Sequence, residues 1–229
     1  MISFDNITKV FTTKSHRVIA LENVSFNIEK GSFVSVVGKS GAGKTTLVKI
    51  LIGEYKPTRG SVFFNGADVT HLKSSDLQKI RRKMGVVFQD YKLLSHKTVK
   101  ENLEYIMQIL SASDEGIERD VPRVLEIVGL EEKKDYCPEE LSGGEQQRLA
   151  IARALIHRPD IIIADEPTGN LDPYNTYEVV HLLKKINDLG TTIVLFTHNR
   201  DVVDGLKKRV ITIEEGRIIH DNPKGKFIL

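Results

Sequence analysis

Cysteine is almost missing from this sequence, with Cys137 standing alone among 229 residues. One thiol closes no internal disulfide and builds no multi-cysteine zinc site, so Cys137 reads as a half-buried, small apolar residue of a chain kept in a reducing compartment. An excess of one charge is missing too. Lys+Arg 33 against Asp+Glu 31 leaves a formal net charge of +2, and the basic residues are scattered rather than gathered into a stripe, so no nucleic-acid partner is expected. No apolar run approaches the roughly 20 residues that a membrane helix needs. The opening Met1-Ile2-Ser3-Phe4-Asp5 has neither the charged start nor the apolar stretch of a secretion signal, and the chain is expected to stay in the cytoplasm. Repeats and low-complexity linkers are absent as well. What remains, 40% hydrophobic and 28% charged residues, is the composition of an ordinary folded globule, and the length suits one domain with two lobes as well as two small domains.

The first third reads as strands. Ile2 to Ile7, Val18 to Ile28 and Phe33 to Val37 are rich in β-branched and aromatic side chains, and Val62-Phe63-Phe64 precedes an Asn65-Gly66 turn. From Leu72 to Met107 the pattern is mostly helical around a short strand, Met84 to Phe88, and Val121, Val124, Leu125 and Val128 continue at helical spacing. After Ser142-Gly143-Gly144 a helix to about Ile156 is expected, then the apolar strand Ile161 to Ala164. An amphipathic helix carrying Val179, Leu182, Leu183 and Ile186 and the strand Thr192 to Phe196 follow. Strands alternating with helices point to an α/β fold with a parallel sheet. Arg209 to Ile219, with Glu215-Gly216 in its middle, reads as a hairpin, and no appended domain is expected beyond it.

Directly after the strand Phe33 to Val37 stands Gly38-Lys39-Ser40-Gly41-Ala42-Gly43-Lys44-Thr45, followed by the helix-like Thr46-Leu47-Val48-Lys49-Ile50-Leu51. A glycine loop between strand and helix, ending in Lys-Thr, is the pattern of a phosphate-binding loop. Glycines let the backbone curl so that successive N–H groups and a helix N-terminus face the phosphates. Lys44 adds a cation for the β and γ phosphates, and the Thr45 hydroxyl suits Mg²⁺. Such a loop needs an acid on a neighbouring strand for the metal, and Ile161-Ile162-Ile163-Ala164-Asp165-Glu166 ends a buried strand in two carboxylates. Asp165 is expected to face Mg²⁺, and Glu166 to polarise the water that attacks the γ phosphate.

A second glycine string, Leu141-Ser142-Gly143-Gly144-Glu145-Gln146-Gln147-Arg148, opens another helix. The Ser142 hydroxyl, the Gly143 and Gly144 N–H groups and the dipole of the helix that continues through Glu145 form a second anion site, and one nucleotide cannot fill both sites within one chain. This string resembles the signature of the ABC ATPase family, and the resemblance covers essentially the whole chain. It implies a P-loop NTPase of ABC ATPase architecture: a RecA-like core with a parallel sheet, an antiparallel N-terminal β-subdomain, and an inserted α-helical subdomain. The core and β parts are expected at about 1–88 and 157–229, the helical part at about 90–156. It also implies hydrolysis of Mg·ATP in a head-to-tail homodimer, where the signature of one copy covers the γ phosphate held by the loop of the other.

The remaining family positions follow in order. Gln89, after the strand Met84 to Phe88, matches the glutamine that touches Mg²⁺ and the attacking water and links the site to the helical lobe. His198, after the strand Thr192 to Phe196, matches the switch histidine on the γ phosphate. Gly169-Asn170-Leu171-Asp172 matches the loop that crosses the dimer, with Asp172 as its acid, although Asn170 departs from the more usual residue there. Phe11 falls where the family puts an aromatic, commonly tyrosine, against adenine; a phenyl face stacks as well.

Within the family, Val87-Phe88-Gln89-Asp90-Tyr91-Lys92-Leu93-Leu94 with Lys97-Thr98-Val99-Lys100-Glu101-Asn102 is most similar to the bacterial cell-division branch. That branch implies an integral membrane partner, motion transmitted across the membrane to peptidoglycan hydrolases, and a location at the cytoplasmic face of the cell membrane. The lipoprotein-releasing, macrolide-export and solute-import branches are the nearest competitors, and a soluble ATP-gated scaffold is the competitor from another class. Tyr91, Leu93 and Leu94 either line a groove for the partner or belong to the lobe's own core.

Overall fold

The computed structural model describes residues 1–13 and 16–225. Its elements begin with strands β1 (Ile2–Thr12), β2 (Arg17–Ile28) and β3 (Phe33–Val37), helix α1 (Lys44–Leu51), strands β4 (Arg59–Phe64) and β5 (Ala67–Asp68) and helix α2 (Ser74–Arg81). Strand β6 (Met84–Phe88), helices α3 (Val99–Ile109), α4 (Asp114–Val128) and α5 (Gly143–Leu155), strand β7 (Ile161–Asp165) and helix α6 (Pro173–Asp188) come next. Strand β8 (Thr192–Thr197), helix α7 (Arg200–Leu206) and strands β9 (Arg209–Glu214) and β10 (Arg217–Asn222) close the series. Packing divides the chain into two units, Met1–Arg81 with Thr192–Leu229, and Arg82–Thr191. The second unit thus takes in β6, β7 and α6 as well as the helices expected at about 90–156.

In the first unit, β2, β1, β4 and β5 form an antiparallel sheet in that order. Ile2, Phe4 and Ile7 are buried, and Phe4 stacks on Phe26 with ring centroids 4.5 Å apart. Asn6 has a positive φ of 49°, and the pairing with β2 shifts register between Phe4 and Ile7 and again between Ile7 and Lys9. This bulge is why the alternation in the sequence stops at Ile7 while the strand continues to Thr12. Strand β3 lies between β8 and β9 and runs parallel to both. All five of its residues are buried, which accounts for its apolar run, since a parallel strand is covered on both faces. Helix α7 was not legible as a helix: seven residues are too few for a period to show. It is started by the Asn199 side chain, which accepts from the Val202 N–H at 3.2 Å, and is held by Val203 packing with Val37 and Val210.

In the second unit β6 pairs in parallel with β7, from Met84 beside Ile161 to Phe88 beside Asp165. Helix α5 rests directly on β6, for a Cβ on Gly85 would stand 2.3 Å from the Ala154 carbonyl oxygen. Helix α4 buries Ile117, Val121, Val124, Leu125 and Val128, a stripe at helical spacing that drives its docking. It begins at the Ser113 cap and ends at Gly129, whose φ of 65° no ordinary side chain adopts readily. Asp120, 7% exposed, receives Arg119 at 2.9 Å and Arg158 at 2.8 Å. The Arg119 hydrogen bond, against the opposing effect of burial, holds its carboxyl down at about 2. Among the described residues no helix is long and apolar enough to cross a membrane.

Candidate functional site

Lys44, Thr45, Phe11 and His198 lie in the first unit, and Gln89, Ser142, Asp165, Glu166 and Asp172 in the second. The phosphate loop leaves the buried end of β3 and is pressed between neighbours that only glycine tolerates. A Cβ on Gly38 would meet the Ile213 carbonyl oxygen at 2.4 Å, and one on Gly43 the Ala20 carbonyl oxygen at 2.6 Å. Gly41 and Gly43 have φ of 81° and 106°, so the curl expected of the loop is present. Ala42 is buried and donates its N–H to the Lys39 carbonyl at 3.1 Å. Lys39, Ser40, Gly41 and Thr45 are exposed and Thr46 half-buried. The Lys44 ammonium, on a buried side chain, reaches back over the loop to the carbonyls of Gly38 at 2.7 Å and Lys39 at 3.2 Å. Helix α1 starts at Gly43 with no side-chain cap.

Helix α5 starts differently. The Ser142 hydroxyl accepts from the Glu145 N–H at 3.3 Å, and the Ser142 N–H donates to the Glu145 carboxylate at 2.8 Å, a reciprocal capping box. Partial burial pushes the Glu145 carboxyl up, but the Ser142 hydrogen bonds and the fields of Lys133 and Arg148 leave it below its ordinary value. Gly144 touches α6, since a Cβ there would stand 1.9 Å from the Asn175 Oδ1.

Glu166 follows β7 with a positive φ of 50°, a conformation that costs a non-glycine residue and is common where a side chain must be aimed. Its carbonyl accepts from the Gly169 N–H at 3.2 Å, closing a tight turn. Asp165 is buried at 7% exposure. Gln89 is exposed and donates its Nε2 to the Asn170 Oδ1 at 3.2 Å. The departure noted at Asn170 therefore supplies a hydrogen bond between the Gln89 loop and the loop of Asp172. Asp172 caps α6: its carboxylate accepts from the Asn175 N–H at 2.9 Å, and that bond lowers its pKa.

His198 is exposed between the end of β8 and the cap of α7. Phe11 is half-buried, with Tyr55 edge-on at 5.5 Å between ring centroids and the Lys9 ammonium 5.0 Å from its ring. Tyr91, Leu93 and Leu94 are all half-buried. Tyr91 and Lys92 both have positive φ, 55° and 53°, and the Arg153 guanidinium on α5 donates to the Lys92 carbonyl.

Two residues that hold this loop escaped sequence reasoning. One is Arg153 as the brace of this loop. The other is Asn102, fully buried, whose amide accepts from the Leu94 N–H at 3.0 Å and donates to the carbonyls of Leu94, Lys97 and Thr98 at 3.1, 3.0 and 2.9 Å. Its position in the Lys97-to-Asn102 string was visible, but a polar residue on a helix gives no sign that it faces inward.

The residues present fit a nucleotide. Left-handed glycines, a lysine on the loop and a helix N-terminus without a side-chain cap form an anion cradle. Among the described residues no group of three His, Cys, Asp or Glu side chains gathers, and Asp165 ends β7 as a buried carboxylate. A strand, a glycine loop ending in Lys44-Thr45 and the helix it opens, with Ser142-Gly143-Gly144 opening another helix much further along the sequence, define a phosphate-loop ATPase.

Residues 21–169 match the model of the family described as ABC transporter. The cell division ATP-binding protein FtsE of Streptococcus pneumoniae is 49% identical over 208 residues, 91% of this chain and 90% of that protein. The Bacillus subtilis protein of that name is 45% identical over 219 residues, 96% of each. A dimeric structure of the ATP-binding cassette MJ0796, in a post-hydrolysis state bound to ADP and Pi, superposes with a TM-score of 0.89 at 36% identity, covering 99% of this chain and 100% of that one. The chain belongs to the ABC transporter family.

Proposed function

We propose that this chain is the ATP-hydrolysing subunit of a cell-division complex, acting as an ATP-dependent homodimer on an integral membrane partner of the FtsX kind at the cytoplasmic face of the membrane. The observation that carries the reading is the phosphate loop with its uncapped helix, in a chain 42% to 49% identical to several cell-division ATP-binding proteins named FtsE.

The chemistry assigned to the residues is as follows. The loop from Gly38 to Thr46 binds the phosphates through backbone N–H groups, and Lys44 exchanges its loop carbonyls for the β and γ oxygens, where negative charge must be balanced. Phe11 stacks on the adenine. The Glu166 carboxylate takes the proton of the attacking water as the bond to the γ phosphorus forms and the bond to the ADP oxygen breaks. His198 and Gln89 hold the γ phosphate and the water in line. Thr45, Gln89 and Asp165 would hold Mg²⁺, which would neutralise phosphate charge. Ser142, Gly143, Gly144 and Glu145 of one copy face the nucleotide of the other, and Asp172 lies in the loop that crosses between copies. The half-buried Tyr91, Leu93 and Leu94 support a docking groove for the membrane partner beside Gln89.

The test is to cross-link the Glu166→Gln variant with ATP in its native membrane and identify what co-purifies. A small membrane protein with four spanning helices and an extracellular domain is expected. A larger multi-span permease would make the chain the ATPase of a transporter, and recovery of the closed dimer with no membrane protein would favour a soluble scaffold.

A further inference from the structure

Two adjacent glutamines of α5 have opposite surroundings. Gln146 donates its Nε2 to the carbonyls of Pro138 at 2.9 Å and Leu141 at 3.1 Å. Gln147 is 0% exposed, and neither its Oε1 nor its Nε2 has a hydrogen-bond partner among the described residues. A buried amide in this state costs as much as a lost hydrogen bond, and an apolar side chain of its size would avoid that cost.

The helix itself defines where this amide points. At about 100° per residue, Gln147 lies about 20° around α5 from Ala154 and about 60° from Gly144. Ala154 abuts Gly85 of β6, and Gly144 abuts Asn175 in the first turn of α6. At the start of α5, a Cβ on Gly143 would stand 3.5 Å from the Tyr91 hydroxyl and 3.6 Å from Leu171. Helix α5 therefore runs antiparallel to β6, and Gln147 faces the wedge between the end of β6 and the start of α6. Both loops that leave this wedge carry proposed catalytic groups, Gln89 on one and Glu166 on the other, and the Gln89–Asn170 hydrogen bond ties them together. Both also contain non-glycine residues in left-handed conformation, Tyr91, Lys92 and Glu166, backbone strain of the kind that clusters at switch regions.

We propose that Gln147 is a positioning residue for hydrolysis: its amide is unpaired in the arrangement described here and pairs with the backbone of these two loops in the arrangement that hydrolyses ATP. The inference rests on the reading of Gln89 and Glu166 given above. The amide has one acceptor and two donors, enough to hold both loops at once, and the hydrogen bonds gained there favour the hydrolysing arrangement over the resting one.

Gln147→Met, which keeps the unbranched shape and removes the amide, tests this. The expected result is an unchanged or higher melting temperature of the nucleotide-free protein, with kcat lowered about tenfold and KM for ATP within about twofold. A lower melting temperature would show that the amide is already paired at rest and would overturn the proposal. An unchanged kcat, or an effect confined to KM, would overturn it equally. Glu166→Gln measured alongside separates the two readings: if that variant hydrolyses ATP normally, the catalytic assignment fails by itself, whereas loss in Glu166→Gln with normal turnover in Gln147→Met removes only the positioning role.

Discussion

Two helices begin with glycine-rich strings, and they solve the problem of their unpaired N–H groups in opposite ways. Helix α1 starts at Gly43 with φ of 106° and has no side-chain cap, whereas α5 starts at Ser142 with a reciprocal box to Glu145. A glycine at the N-cap gives up only about a few tenths of a kcal/mol of helix stability relative to serine, and at α1 that small cost leaves the first turn without a side-chain cap. At α5 the Ser142 oxygen is already an acceptor, but its own hydroxyl proton is not used by that bond and remains available to a phosphate oxygen. The first N-terminus is thus left open, and the second is a stable helix start whose serine has a hydroxyl proton to spare.

The comparison predicts unequal consequences for equal-sized changes. Lys44→Ala has the largest: it removes the cation that the loop keeps against its own carbonyls, and ATP affinity should fall by about a hundredfold or more, the scale of a buried charge-assisted contact to phosphate. Titration with a fluorescent ATP analogue reads this directly. Retention of affinity within a few fold would mean that the backbone cradle alone holds the phosphates.

Gly144→Ala comes next. The new methyl would strike the Asn175 Oδ1, and Asn175 cannot yield without loosening its bonds to Asp172. The junction of α5 and α6 should lose about 1–3 kcal/mol, the usual cost of overpacking, with ATPase activity falling together with the melting temperature. Ser142→Ala should cost about 1 kcal/mol through the lost cap, and Ser142→Asp separates the two functions of this residue. Aspartate restores the cap and the melting temperature, but it brings negative charge and no hydroxyl proton to the nucleotide, so activity should stay low.

The two glycine strings were legible in the sequence, because glycine spacing and the residues around it carry the chemistry, but both read as anion sites and the Ser142–Glu145 box was not foreseen. The phosphate loop, the two carboxylates ending β7 and the signature string are local patterns, and each stands where its strand or helix was expected. The bulge at Asn6, helix α7 and the inward-facing amides of Asn102 and Gln147 were not legible. Each depends on which neighbour a short segment meets, and polar residues on a helix look alike in a sequence whether they face water or the core. The Gln89–Asn170 hydrogen bond joins residues 81 positions apart, a relation that one sequence does not encode in any local pattern.

The smallest expected effect is with pH, and it separates the two helix starts without a mutation at α1. The Glu145 carboxyl is held below its ordinary value of 4.5 in the folded protein, so its contribution to stability is fully present above that value and is lost as pH falls through the lower, folded one. Asp172, lowered chiefly by the Asn175 N–H, behaves in the same sense at α6, while the first turn of α1 contains no acidic residue. Acidification from pH 5 downward should therefore loosen the starts of α5 and α6 before that of α1. Hydrogen exchange measured across that range should show Gly144 to Gln147 losing protection earlier than Leu47 to Leu51. In Glu145→Gln the amide keeps a neutral version of the box, and the acid dependence at α5 should flatten; if it does not, the capping carboxylate is not what couples that helix start to pH.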